Sequence, residues 1–189
     1  MKRVLALLLC ASCLFSFASC SKKSKSKTPA ATKKVPTSKT TEETTKAKRF
    51  DPDVEFEVVD MKGNTWDETM FQDYELTMIH FWEPSSDPCV REMKDLQKLY
   101  HDYEDLDFII LAVYSDTDMD DEIRRLIKNA STTYPVVNYS PAFDRFRSAQ
   151  TPSTIFVDKE GKVIYENGSP YYDGAKEYEE WARIIEQYV

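Results

Sequence analysis

Cysteine all but disappears from this 189-residue chain after its first twenty residues. Cys10, Cys13 and Cys20 fall within that stretch, and Cys89 is the fourth and last. A single remaining thiol excludes any disulfide within the rest of the chain. Histidine is as scarce, with His80 and His101 alone, so no metal-ligand set occurs at familiar spacing and no metal is expected. The four glycines, Gly63, Gly161, Gly168 and Gly174, are not flanked as a phosphate-cradling loop requires. No cofactor is expected either. The formal net charge is -8, without a basic patch or basic-aromatic interleaving, which argues against a nucleic-acid partner.

What is present at the N-terminus reads as a targeting signal over residues 1–19. Lys2 and Arg3 precede an apolar run from Val4 to Ala18 that is too short for a stable membrane span. Phe17-Ala18-Ser19 before Cys20 resembles a lipobox, although Phe17 stands where leucine is usual; this makes Cys20 the expected lipid attachment site. A plain secretory signal cut nearby is the alternative, and either places the rest outside the cytoplasm. Residues 20–49 form the expected lipid-anchored tether. From Ser21 to Arg49 the chain is Ser, Thr, Lys, Pro and Ala with almost nothing apolar, too little to offset the entropy of folding. That stretch carries ten Lys/Arg against Glu42 and Glu43. Removing its +8 and the leader's +2 from the total of -8 leaves -18 for residues 50–189. The simple reading is a solvated spacer; a basic tail lying on anionic lipid is the sharper one.

From Phe50 onward the pattern alternates strand and helix. Val54 to Val59 alternates apolar and acidic residues and leads into the turn Asp60-Met61-Lys62-Gly63-Asn64, a hairpin entrance. Leu76 to Trp82 and Asp107 to Tyr114 read as buried central strands. Between them Met93, Leu96, Tyr100 and Tyr103 recur at helical spacing from Pro88 onward, and Ile123, Leu126, Ile127 and Ala130 mark a second helix. Strand, helix, strand implies a right-handed crossover and a parallel pair. An apolar stretch at Tyr134 to Val137 and a helical turn at Pro141 to Arg147 follow. Ser153 to Asp158 and Lys162 to Glu166 read as an antiparallel pair, and Ala175 to Ile185 as a closing helix.

Phe81-Trp82, a six-residue loop, Cys89 at a helix start, and Thr151-Pro152 before a strand ending at Asp158 together resemble the thioredoxin fold. The closer likeness is to the extracytoplasmic, membrane-anchored reductases of the TlpA and ResA kind, within the redoxins, whose active-site stretch runs Phe-Trp-x-x-Trp-Cys-x-Pro-Cys. The resemblance implies an α/β, thioredoxin-like domain over residues 50–189, with a central mixed sheet, helices on both faces and an N-terminal β-hairpin extension. In that family a first cysteine attacks a disulfide and a second resolves it, the helix dipole lowering the first thiol's pKa. Here the window is Ser86-Asp87-Pro88-Cys89: Ser86 replaces the attacking cysteine and Ser85 the usual tryptophan. A serine hydroxyl does not exchange with disulfides, so dithiol reduction should be absent.

The resemblance also implies a substrate groove at Trp82, Thr151 and Pro152, with Pro152 at the family's cis-proline; otherwise Pro152 merely starts an edge strand. His80 takes the place of the family's buried Asp or Asn and is a candidate base for Cys89. Otherwise His80 is a core histidine and Cys89 a small packing residue. Ser86 is a good helix N-cap whatever else it does. Three functions compete. One is a degenerate envelope lipoprotein that binds an extracytoplasmic partner, thiol-bearing or a folding client, through the groove. Another is a monothiol redox enzyme using Cys89. The third, a peroxidase, rests on Ser86-x-x-Cys89 resembling the peroxiredoxin Thr-x-x-Cys, without that family's arginine and with Trp82 where its proline belongs.

Overall fold

The computed structural model describes residues 49–115, 117–168 and 173–189, so the expected leader, Cys20 and all of the tether but Arg49 lie outside the described residues. The hairpin extension is there: β1 (Glu57–Val59) and β2 (Thr65–Asp67) pair antiparallel. Asp60 fastens its turn by accepting from the Lys62 and Asn64 backbone N–H groups, the Asn64 amide and the Trp66 indole, at 2.9 to 3.0 Å. Burial acts to raise the Asp60 pKa, but those donors outweigh it and hold the carboxyl below its ordinary range. Gly63 takes φ +90°, a conformation glycine enters without steric cost.

Strands β3 (Leu76–Trp82), β4 (Phe108–Tyr114), β5 (Val136–Asn138), β6 (Ser153–Asp158) and β7 (Val163–Gly168) form one sheet in the order β5-β4-β3-β6-β7. The β3/β4 and β4/β5 pairs are parallel, and β6 runs antiparallel to β3 and β7. A parallel neighbour requires a crossover, here α1 (Asp87–Asp102) between β3 and β4. Helices α2 (Asp120–Ala130) and α3 (Gly174–Tyr188) complete the set. Every residue of β3 and β4 is buried, as in a sheet covered on both faces. With β6 lying between β3 and β7, Pro152 precedes an interior strand and not an edge strand.

The two faces are covered differently. Leu76, Met78 and Trp82 of β3 share a core with Cys89, Met93 and Leu96 of α1, Ile123 of α2 and Trp181 of α3. The alternate residues Ile79 and Phe81 pack instead with Val54, Phe56, Phe71 and Phe143. All three α-helices therefore lie on one face. The second face carries helices too, but short ones: it is closed by the segment before β1 and by the 3-10 helices Glu68–Asp73 and Pro141–Phe143. Their aromatic rings make this possible. Phe56 meets Phe71 and Phe143 at centroid distances of 5.8 and 5.1 Å, so bulky side chains on short segments bury a sheet face without a full helix.

Candidate functional site

Helix α1 begins one residue after Ser86, with Asp87 in its first turn and Pro88 where a missing N–H leaves nothing unpaired. Ser86 occupies the N-cap position but its hydroxyl makes no capping hydrogen bond, which corrects the expected role. It bears instead on Cys89. That thiol is buried, with 1% exposure. Burial pushes its pKa up; the Ser86 hydroxyl, the Glu83 backbone and the Thr151 hydroxyl act to lower it without prevailing, and the Glu92 carboxyl adds to the rise.

His80 sits in β3 directly opposite Thr154 of β6, and its Nδ1 lies 2.9 Å from the Thr154 Oγ1. Its Nε2 faces the Glu92 Oε2 at 3.4 Å, both side chains being essentially inaccessible. The Trp181 ring stands edge-on to the imidazole, 6.3 Å away. Among the described residues no hydrogen bond joins His80 to Cys89. Burial lowers the His80 pKa to about 3, so the ring is neutral and a feeble proton acceptor. The candidate base is thus turned elsewhere: Nδ1 meets the Thr154 hydroxyl and Nε2 faces the Glu92 carboxyl.

Glu92 is the site residue that sequence reasoning missed. Its pKa is raised to about 9, first by burial and then by the charges of Glu177 and Asp95, which makes it a neutral carboxylic acid near pH 7. Its 3.4 Å approach to Nε2 falls short of hydrogen-bond geometry, and among the described residues neither Nε2 nor Oε2 has a hydrogen-bond partner. The signal was the spacing: Glu92 follows Cys89 by three and precedes Leu96 by four, which places it on the buried stripe of α1 and not on its charged face.

Pro152 follows Thr151 through a cis peptide bond. With Glu92, Ser153, Glu177 and Trp181 it lines a narrow polar crevice of about 10 Å³, room for roughly one water. Thr151 is half-buried beside it. Trp82 is not part of a groove: it is 2% exposed, packed under α1 and edge-on to Tyr114 at 6.3 Å. An even-numbered β3 residue points to the helix-covered face, which is why the expected contact surface became core. Cys89, Ser86 and Thr151 come together; His80 faces Glu92, and Trp82 is buried in the core that Cys89 shares.

The comparisons with known proteins agree with this geometry. Thiol-disulfide oxidoreductase ResA of Halalkalibacterium halodurans is 25% identical over 88 residues, 46% of this chain and 49% of the relative. The ResA protein of Bacillus cereus is 27% identical over 90 residues, 47% and 51% of the two chains. The chain therefore spans about half the length of the curated relatives it matches. A putative thioredoxin from Neisseria meningitidis superposes with a TM-score of 0.59 at 26% identity, covering 70% of this chain and 88% of the other. The thioredoxin domain of a thiol-disulfide oxidoreductase from Bacteroides vulgatus gives 0.60 at 20% identity, covering 72% and 96%, a likeness of fold. The sequence model described as the AhpC/TSA family matches residues 51–166, and with the thioredoxin-like sheet and its cis Thr151-Pro152 in place, the chain belongs to that family.

Proposed function

We propose that this domain works by holding an extended segment of an extracytoplasmic protein in the groove beside Thr151 and Pro152, the attacking thiol having been lost. The observation that carries this reading is the state of Cys89: 1% exposed, its pKa raised, and its candidate base bonded to Thr154 and facing Glu92. Ser86 in the attacking position supports the same conclusion. The leader-like N-terminus and Cys20 support an anchor in a bacterial cell envelope, with the basic tether as spacer.

The test uses a permanently unfolded client whose cysteines are reduced and alkylated, so that it carries neither thiol nor disulfide. Such a client is expected to bind the full chain and the Cys89→Ser variant equally, and to bind Thr151→Arg at least about tenfold more weakly, because the new side chain obstructs the groove. Binding that requires unblocked client cysteines, and is lost with Cys89, would refute groove binding.

A second reading has its own support, since the hydroxyls of Ser86 and Thr151 bear on the thiol and favour its ionised form. In this monothiol chemistry the Cys89 thiolate attacks a partner disulfide and expels the partner's thiolate. A thiol from another protein or a small molecule then attacks the mixed disulfide and regenerates Cys89. Burial works against that step. At pH 7 a disulfide reagent is expected to label Cys89 markedly more slowly in the folded chain than in urea, because burial both blocks access and lowers the thiolate fraction. Equal or faster labelling in the folded state would favour the monothiol enzyme. Peroxide reduction is less supported, since no arginine is among the groups that act on the thiol.

A further inference from the structure

The turn between β1 and β2 reaches around the sheet edge to the helix-covered face. The Met61 N–H donates to the Val136 carbonyl at 2.9 Å, Asp60 bridges to Val137, and the Lys62 ammonium donates to the Thr133 carbonyl at 2.8 Å. Between this turn and the flank of α2 lies a cavity of about 250 Å³. It is separate from the Cys89 crevice and shares no lining residue with it.

The cavity's chemistry is selective. Met61, Ile127 and Val136 give it an apolar wall, over the buried Tyr134. Three charged groups line it, Asp60, Lys62 and Arg124. Asp60 already accepts four hydrogen bonds, so its oxygens are committed to the turn. The two cations are not so committed. Among the described residues the Arg124 guanidinium makes one bond, a long one of 3.4 Å to the Met61 carbonyl, out of the five N–H donors a guanidinium carries. Two cations beside an apolar hollow are conspicuous in a domain that carries -18 overall.

A buried hydroxyl sits in the same wall. Thr132, 7% exposed, lines the cavity, and its Oγ1 has no hydrogen-bond partner. It lies beside the Tyr134 hydroxyl without reaching hydrogen-bond geometry. A buried hydroxyl left unpaired costs free energy that a ligand's polar group would recover.

We propose that this cavity binds a small carboxylic acid with a compact apolar body. The carboxylate sits on Arg124 and Lys62, where a planar guanidinium matches it bidentately. The apolar part lies against Met61, Ile127 and Val136. The site does not depend on the groove reading, and it would persist if Cys89 proved reactive.

The experiment is a titration of the full chain with hexanoate, followed by methyl NMR, with hexylamine as the matched cation. Hexanoate is expected to shift the Met61, Ile127, Thr132 and Val136 methyls saturably, with a Kd on the order of 1 mM for so small a ligand. Hexylamine is expected to leave them unmoved. Arg124→Gln, a change at an exposed position, should weaken hexanoate at least about tenfold. The proposal is overturned by no saturable shift with hexanoate, by equal binding of hexylamine, or by an Arg124→Gln variant that binds as the parent does.

Discussion

Replacing Ser86 by cysteine is expected to turn a chain without dithiol activity into a disulfide reductase. Ser86 and Cys89 stand three residues apart across the start of α1, a spacing that makes them neighbours on the helix surface. The Ser86 hydroxyl already bears on the Cys89 sulfur, so a sulfur in its place is expected within bridging distance. Ser86 is half-buried while Cys89 is closed off, which suits an accessible attacking thiol and a protected resolving one. The new thiol would also lie at a helix N-terminus, where the dipole lowers its pKa. With an external dithiol as reductant, Ser86→Cys should reduce a protein disulfide at least about tenfold above background, and the parent should not. On mild oxidation the variant should lose both thiols to an internal bond. The informative control is Ser86→Cys with Cys89→Ser, which should stall as a mixed disulfide. If the single variant neither closes its disulfide nor turns over, the start of α1 does not support dithiol exchange.

The second large effect is on stability against pH, and it follows from the buried His80 and Glu92 pair. In the unfolded chain these groups have ordinary values of 6.5 and 4.5; folded, they stand at about 3 and about 9. The Glu92 value is raised, so its contribution is complete below 4.5 and lost as pH rises toward about 9. The His80 value is depressed, so its contribution is complete above 6.5 and lost as pH falls toward about 3. Between 4.5 and 6.5 both states hold one proton, the unfolded chain on histidine and the folded pair on the Glu92 carboxyl. The pair's contribution to stability should therefore be flat there and fall on either side by about 1.4 kcal/mol per pH unit. The plateau holds wherever the shared proton resides, because only the count enters.

The two single variants separate the wings. Glu92→Gln should abolish the alkaline decline and move the acid decline up to begin near the histidine's ordinary value. His80→Gln should do the reverse, with stability falling from the ordinary carboxyl value upward. Urea-unfolding midpoints measured against pH would show these opposite displacements. A Glu92→Gln profile that matches the parent above pH 6.5 would mean that Glu92 is ionised in the folded chain and that its charge is balanced by something other than His80.

Much of the fold is legible in the order of the residues. Leu76 to Trp82 and Ser153 to Asp158 are strands over the residues expected, because continuous apolar runs between turn signals are local properties of the chain. Short elements are less so. The strand expected from residue 54 is confined to Glu57–Val59, and the helical turn expected to reach Arg147 is the 3-10 helix Pro141–Phe143. Pairing across the sheet decides such ends, and no window of sequence contains the partner.

The site divides along the same line. That the chain beyond residue 20 has one thiol, that a serine stands three residues before it, and that a proline waits at residue 152 are facts of the sequence alone. They fix which bonds can be made. Which side chains are shielded from water is settled only in three dimensions. Trp82 lies under α1 and not in a groove, the Ser86 hydroxyl bears on sulfur and does not cap, and His80 faces Glu92 and not Cys89. A carboxyl twelve residues along the chain from the imidazole becomes its partner because β3 and α1 pack face to face. Burial and pKa are set by every element that surrounds a group, so no local reading could have assigned Glu92 its proton or Cys89 its quiet thiol.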